Sequence, residues 1–349
     1  MAKYGDSLGN DNKSEIWWRR DGGKRSNGGA TSCVAKGENA SSPNWLLKAR
    51  GVELFFTRIP AGSFKMGISR WRQNRNNLQM GAAYPWMTLA QDSQANAKRV
   101  KITRDFWMMQ TQVTIEMFDV FLKTTKRNVP VGAIGYNKST KKLEYGADYS
   151  FLNPGFPDIN EQRSNVTMPA TCVDWASAVA FCDWLNEEFK DWRTSDLQYK
   201  LNFRLPTEAE WEYACRAGSK AAYHFGNREK DLPGYGNYDD GNLGASAGVD
   251  GFEFLAQVWN LQPNRWQLYH MHGNVWEWCA DWFAPYETSG WSAERDPNGP
   301  CRGYMRAARG GAWNVAPSFC RSASRAAVHP WTRAADLGFR VAMDVEPLL

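Results

Sequence analysis

The sequence predicts an α+β domain that is rich in loops and contains short strands with a few helices. Aromatic residues make up 14% of the 349 residues and include 18 Trp. So much ring surface cannot all stay exposed, so a large packed core is expected. The mean hydropathy is nevertheless low, at −0.59, because Gly, Asn, Arg and Asp are also frequent. Only three segments show helical periodicity, and short alternating runs and turn residues fill the rest.

Residues 1–44 differ in composition from the remainder of the chain. They are rich in Gly, Ser, Asn and Lys, and their strong apolar pair is Trp17-Trp18. This composition predicts a flexible arm, or one that docks on the body or on a neighbouring subunit through the Trp pair. The domain itself is expected over 45–349. Nine Lys/Arg oppose five Asp/Glu in residues 1–50, whereas 33 oppose 32 in the remainder. The near-neutral body predicts no nucleic-acid partner.

The sequence gives limited information about the compartment. It has no apolar run long enough to span a bilayer, so no membrane span is expected. The first residues lack an apolar stretch, so no secretory signal is visible. The seven Cys are scattered without a CxxC pair, and their odd number fits a reducing compartment. We expect a cytoplasmic location, or association with a phage or cell surface if a signal has been removed.

The first predicted elements are two short strands within 52–67, on either side of a Pro-Ala-Gly turn. A polar stretch over 68–98 predicts a long loop, and 100–109 alternates enough for a strand. Thr114 is the expected N-cap of the first helix. The apolar face of that helix comprises Met117, Phe118, Phe121 and Leu122.

Two further helices are predicted. Residues 126–166 show no clear periodicity and predict an insertion loop. A helix begins near Asp174, and its apolar residues recur at helical spacing. Another follows Thr207, which can form a capping box with Glu210. The Glu residues of this helix are interpreted as cap and dipole complement, with an acid/base cluster as the alternative. Beyond residue 220, loops and short strands are expected.

Six motifs occur in the order and spacing of one known family. Together they resemble the formylglycine-generating enzyme, or sulfatase-modifying factor, domain over about 55–345. The resemblance implies an elaborated C-type-lectin-like α+β fold. The motifs are Ile59–Gly67, Met168–Trp175, Arg204–Ala214, Gly273–Trp278, Arg309–Trp313 and Leu337–Arg340.

The resemblance argues against the chemistry for which the family is known. Its oxidases bind copper(I) through two Cys, the first five residues before the second, and two thiolates suit that soft ion. Cys320 matches the second position, but Val315 occupies the first, and Ala312 replaces the family's Ser. We therefore expect no copper, assign no catalytic residue, and interpret Cys320 as a packing residue without a neighbouring His base. The four His do not match the iron site of the family's sulfoxide synthases.

The resemblance also implies two structural Ca²⁺ sites. The first would use Asn237, Tyr238, Asp250 and Phe252, a mixed set of amide, carbonyl and carboxylate oxygens that suits a hard cation. The second would use the carbonyls of Gly273 and Val275 and the carboxylate of Glu277. His270 stands where a further oxygen ligand usually lies. The alternative for Glu277 is a buried hydrogen-bond network or ion pair.

A binding surface is the remaining interpretation of the C-terminal segment. Variable proteins of diversity-generating retroelements belong to this lectin-like branch, and they vary the segment between the Gly-Gly-[Ser/Ala]-Trp and Gly-Phe-Arg motifs. Here the corresponding segment is 314–336. Its unpatterned residues fit a ligand-contact surface, and they also fit an ordinary solvent loop. The predicted contact residues are Val315, Ala316, Ser318, Phe319, Ser324, Ala326, Ala327, Val328, His329, Trp331, Thr332, Ala334, Ala335 and Asp336.

Three functions follow from these observations. The favoured one is a non-catalytic protein that binds an unknown protein or surface ligand. The second is a paralogue of the family's enzymes with non-copper chemistry on a peptide or small thiol. The third is a structural subunit that forms a homo-oligomer through the N-terminal arm. The sequence does not identify the ligand.

Overall fold

The protein is known from a computed structural model. It describes residues 32–33, 44–67, 86–89, 97–157, 167–191, 199–241, 248–285 and 295–347. In this part of the chain there are three α-helices: α1 (Ile115–Thr125), α2 (Trp175–Glu188) and α3 (Glu208–Arg216). The strands are β1 (Ser32–Cys33), β2 (Asn44–Ala49), β3 (Val52–Ile59), β4 (Gly62–Met66), β5 (Met87–Leu89), β6 (Lys98–Ile102), β7 (Phe106–Met109), β8 (Ala133–Asn137), β9 (Lys142–Gly146), β10 (Tyr199–Arg204), β11 (Trp276–Trp282), β12 (Arg306–Arg309), β13 (Arg325–Val328), β14 (Leu337–Gly338) and β15 (Ala342–Pro347).

Two curled sheets form the frame of the domain. The first has the order β1-β2-β3-β7-β15-β10 and is antiparallel throughout. The second has the order β14-β11-β12-β13-β5, and only its β11–β14 pair is parallel. Two antiparallel pairs, β4–β6 and β8–β9, complete the described strands. The predicted loop-rich α+β fold of the C-type-lectin-like kind is therefore confirmed.

The core is built largely from aromatic rings. Phe118 of α1 lies 6.3 Å from Phe181 of α2 and 6.2 Å from Phe339, measured between ring centroids. Trp276, Trp278 and Trp313 are fully buried, and Trp313 packs edge-to-face on Phe156. The core expected from the aromatic content is present, and it joins both sheets to α1 and α2. Among the described ranges, no helix is both long and apolar enough to cross a bilayer.

The helix starts agree with their predicted caps. The Thr114 side chain accepts a hydrogen bond from Met117 N at 3.3 Å. Asp174 caps α2 by accepting from Ser177 N at 2.8 Å. Thr207 caps α3 and forms a reciprocal capping box with Glu210. These local signals were sufficient because a capping bond involves residues only three positions apart.

Two predicted boundaries were wrong. The insertion loop at 126–166 contains the paired strands β8 and β9. Gly residues in both strands interrupt the alternation of apolar and polar side chains that would have predicted them. Gly146 lies close to the Tyr149 ring, since an added β-carbon would be 2.6 Å from it. The single strand predicted over 100–109 is divided between β6 and β7, which belong to different sheets. Of the arm 1–44, Ser32–Cys33 pair with β2, whereas Trp17 and Trp18 lie outside the described residues.

Helix α3 inserts charged side chains into the core. Glu208 and Glu212 are fully buried, although the interpretation favoured from the sequence was a role as cap and dipole complement at the helix start. Arg309 forms ion pairs with both, and Arg325 binds both Glu208 oxygens. Arg216 donates to Glu212 at 2.8 Å. These ion pairs connect α3 to β12 and β13, and the Arg residues hold the pKa of Glu212 below its usual value despite burial.

We predict that Arg309→Leu will lower the free energy of unfolding by about 3–5 kcal/mol, because it leaves buried carboxylates without their counter-charge. Arg50→Leu is the matched control. Arg50 binds Glu188 through two hydrogen bonds of 2.8 and 2.9 Å, but its side chain is 39% exposed. It should cost less than about 1 kcal/mol. Urea unfolding of both variants measures the difference, and equal losses would contradict the proposed importance of the buried pairs.

Candidate functional site

The C-terminal segment is folded tightly onto the second sheet. Strand β13 lies between β12 and β5, and a 3-10 helix covers Pro317–Phe319. Gly310 and Gly311 have positive φ angles of 103° and 80°. A β-carbon at Gly311 would lie 2.6 Å from Cys320 Sγ, so the second Gly allows the chain to pass against the thiol. The Arg309–Trp313 motif is thus a packing feature.

Cys320 is a fully buried thiol. It has no exposed surface, and burial raises its pKa well above the ordinary value. Val315, at the position of the family's other copper ligand, is buried, and so is Ala312. Among the residues that the structure describes, no group of three or more His, Cys, Asp and Glu has metal-binding geometry. Burial of the thiol and its raised pKa are typical of a cysteine that packs in a core, and the absence of copper stays a prediction.

Sequence reasoning missed a His pair beside Cys320. His272 Nδ1 lies 2.7 Å from the Cys320 carbonyl oxygen, and His272 Nε2 lies 2.9 Å from His224 Nδ1. Cys215 Sγ is 4.0 Å from the His272 ring. The short contact of His272 is therefore to the Cys320 backbone carbonyl and does not involve the thiol. No sequence spacing signals this pair, since His224 and His272 are 48 residues apart.

The predicted contact residues are not equally accessible. Four retain accessible surface: Ala316, Ser318, His329 and Trp331. The other ten are buried in this structure, and three of them belong to β13, which lies inside the second sheet. They are Val315, Phe319, Ser324, Ala326, Ala327, Val328, Thr332, Ala334, Ala335 and Asp336. Segment 314–336 is therefore not one continuous exposed patch, and contact with a ligand stays a prediction for the accessible residues.

Trp331 is the prominent exposed side chain of the segment. It is 69% exposed, and its ring stacks on His329 with centroids 4.6 Å apart and planes 12° apart. His329 therefore covers one face of the indole and leaves the other open. The turn beneath it is fixed, because Thr332 N donates to His329 O and Trp175 N donates to Pro330 O. These backbone hydrogen bonds hold in place the turn that carries the exposed indole.

Hydrogen bonds connect residues of the first predicted calcium set, and one of their acceptor oxygens has no partner. Asp250 accepts from Tyr238 N at 2.8 Å and from Phe252 N at 3.0 Å. Asn237 Nδ2 donates to Phe254 O and Asn274 Oδ1, which leaves the buried Asn237 Oδ1 without a partner. Burial also raises the pKa of Asp250. An orphaned amide oxygen beside a carboxylate fits a hard cation.

The second predicted calcium set does not fit a cation. Both Glu277 oxygens accept from Arg340, at 2.6 Å each, and also from Gln112 at 3.0 Å and Trp211 at 2.7 Å. Arg340 supplies the counter-charge that a metal would otherwise provide. His270 Nε2 contacts the Gln257 carbonyl at 2.9 Å. The arrangement around Glu277 is the buried ion pair given above as the alternative to a metal ligand.

The sheets, the capped α3 and the segment from Arg309 to Arg340 together define a domain of the formylglycine-generating-enzyme type. The family model described as the sulfatase-modifying factor enzyme 1-like domain matches residues 54–345. The chain belongs to this family.

A curated relative supports this membership, and two solved structures have a similar fold. It is 36% identical over 316 residues to the formylglycine-generating enzyme of Bos taurus, covering 83% of this chain and 74% of that protein. PvdO from Pseudomonas aeruginosa has a TM-score of 0.63 at 24% identity, covering 83% of this chain and 94% of that one. Treponema denticola variable protein 1 has a TM-score of 0.58 at 23% identity, covering 86% and 99%. The two structures support the fold.

The buried His residues predict a pH dependence of stability. Burial lowers the pKa of His270 to about 4 from 6.5. The unfolded chain therefore takes up a proton before the folded one, and stability falls as pH drops from 6.5 towards 4. We predict that His270→Gln will remove roughly 3 kcal/mol of this pH-dependent loss. Urea unfolding across this range tests the change, and an unaltered slope would contradict it.

Asp336→Asn is the control, because it should change the pH dependence of stability in the opposite direction. Burial raises the pKa of Asp336 to about 6, so its contribution to stability is lost as pH rises through that value. Removing the carboxyl should make the net rise of stability with pH steeper. Equal slopes for this variant and the wild type would contradict the assignment.

Proposed function

We propose that this protein is a non-catalytic binding protein on a formylglycine-generating-enzyme-type scaffold. The observation that carries the proposal is the state of Cys320. It is a buried thiol whose pKa is raised by burial, with Val315 and Ala312 where the family's chemistry requires Cys and Ser. One thiol cannot supply a two-thiolate copper(I) site. The fold is compatible with both an enzyme and a binding protein, so the proposal depends on Ala312, Val315 and Cys320.

We propose that Trp331 is the centre of the contact surface. An exposed Trp held by a stacked ring is a typical anchor, because it offers a large contact area at little entropic cost. His329, Ser318 and Ala316 are the other accessible members of the segment. The ligand is a protein or surface molecule, and retroelement diversification of this segment would be recognised by a near-identical template repeat beside the gene.

We predict that Trp331→Ala will weaken binding of a ligand found on a glycan and surface-protein array by at least about tenfold, a loss of 1.4 kcal/mol or more. Tyr304→Ala is the matched control, because Tyr304 is an exposed ring, at 89%, outside segment 314–336. It should leave affinity unchanged. The contact assignment is wrong if both variants bind as the wild type does, or if Tyr304→Ala is the weaker binder.

We propose that Asn237, Tyr238, Asp250 and Phe252 hold a structural Ca²⁺. The orphaned Asn237 Oδ1 and the raised pKa of Asp250 support this. Calcium should raise the melting temperature of the wild type, chelation should lower it, and Asp250→Ala should abolish the difference. Asp105→Ala is the control, since Asp105 binds Arg58 and Ala61 N instead. No calcium effect on the wild type would remove the proposal.

An enzyme with different chemistry is the second candidate, supported by 36% identity to a formylglycine-generating enzyme. It would act on a peptide or small thiol without copper. Metal analysis separates the two functions: after exposure to copper(I) and iron(II), we expect neither metal at stoichiometric levels in the wild type. The Val315→Cys variant restores the missing ligand type and is the positive control. Stoichiometric copper or iron in the wild type would favour the enzyme.

A further inference from the structure

The strand pair β4–β6 has a strongly cationic outward face. In this antiparallel pair Lys65 lies opposite Arg99, and Ser63 lies opposite Lys101. All four side chains are exposed, whereas Val100 between them is buried. Side chains of directly opposed residues point to the same side of a sheet, so three cations share one surface.

A remote part of the chain adds a fourth cation. Arg295 pairs with Lys101 through a parallel bridge, although the two residues are 194 positions apart. The next residue, Asp296, donates its N–H to the Lys101 carbonyl at 2.9 Å and accepts from Thr103 N at 2.7 Å. Asp296 has a φ of 43°, a conformation that few non-Gly residues adopt. This clamp fixes the backbone of Arg295 beside Lys101.

The four cations are not neutralised within the described part of the chain. Lys65, Arg99, Lys101 and Arg295 form no ion pair there. The flanking carboxylates are engaged elsewhere: Asp296 with Thr103, and Asp105 with Arg58 and Ala61 N. Like charges directly opposite each other destabilise a strand pair. The face therefore presents four cations that no carboxylate of the described residues pairs with directly.

We propose that the cationic face, defined as Lys65, Arg99, Lys101 and Arg295, binds a linear acidic polysaccharide. Three of the cations lie on the two strands β4 and β6, and Arg295 is bridged to the edge of β6, so a polymer with regularly repeated sulfate or carboxylate groups can contact several at once. Arg and Lys both pair with such groups. The outward side chains of the pair include no aromatic ring for base stacking, which disfavours single-stranded nucleic acid. They also include no apolar side chain to insert into a membrane.

The probe is heparin, a sulfated polysaccharide, as size-defined oligosaccharides titrated into the full-length protein. The test variant carries Lys65→Gln, Arg99→Gln and Lys101→Gln. We expect it to bind at least about tenfold more weakly and with a smaller salt dependence, because it forms fewer ionic contacts. Wild-type affinity should fall steeply with added salt, because each contact that forms releases counterions from the polymer. The control carries Lys142→Gln, Lys220→Gln and Lys230→Gln. It removes three exposed Lys and so lowers the net charge by the same amount as the test variant. It should bind within about threefold of the wild type by the same reasoning.

Three results would overturn the proposal. The first is no heparin binding by the wild type, and the second is equal weakening in both triple variants. The third is tighter binding of the wild type to anionic vesicles or single-stranded DNA than to heparin, with loss of that binding in the variant that lacks the three cations. Lys65→Glu is a second variant, which replaces the repulsion with Arg99 by attraction. It should fold at least as stably as the wild type and still lose affinity. Because Trp331 is unchanged in every variant, failure here is distinguishable from failure of the proposed function.

Discussion

The structure depends on burying charged side chains of α3 with their counter-charges. Glu208 and Glu212 meet Arg309 and Arg325, and Trp211 donates to Glu277, which Arg340 also binds. One nine-residue helix is thereby joined to β11, β12, β13 and the chain after β14. Burying so many ions is costly unless every partner is present. The arrangement of the second sheet therefore depends on the correct packing of α3 against it.

The local features of this helix were predictable, whereas its long-range partners were not. The Thr207–Glu210 capping box follows from residues three positions apart. The pairing of Glu208 with Arg325 spans 117 residues. A single sequence contains no signal for it, since Glu in the first turn already has a sufficient explanation in the helix dipole.

In the C-terminal segment, the burial of the residues was not predicted from the sequence. Its residues appeared unpatterned, and this was compatible with an exposed surface. Strand β13 is in fact a central strand with Ala326, Ala327 and Val328 all buried, so the alternation that marks a half-exposed strand is absent. Small side chains also allow the neighbouring Ala307 and Ala308 of β12 to pack closely. The absence of the family's Ser at position 312 and of its copper-binding Cys at position 315, by contrast, was evident from residue identity alone.

The placement of Arg309 has a consequence for how proteins of this type are recognised. Its guanidinium is enclosed in ion pairs, and the two Gly that follow it provide space and backbone conformation. The Arg-Gly-Gly signature is thus a requirement of folding. A comparison that rests on such signatures groups chains by architecture and is blind to whether they catalyse anything. Assigning an activity to a new chain requires inspection of the few positions inside the signature frame that the architecture leaves free to change.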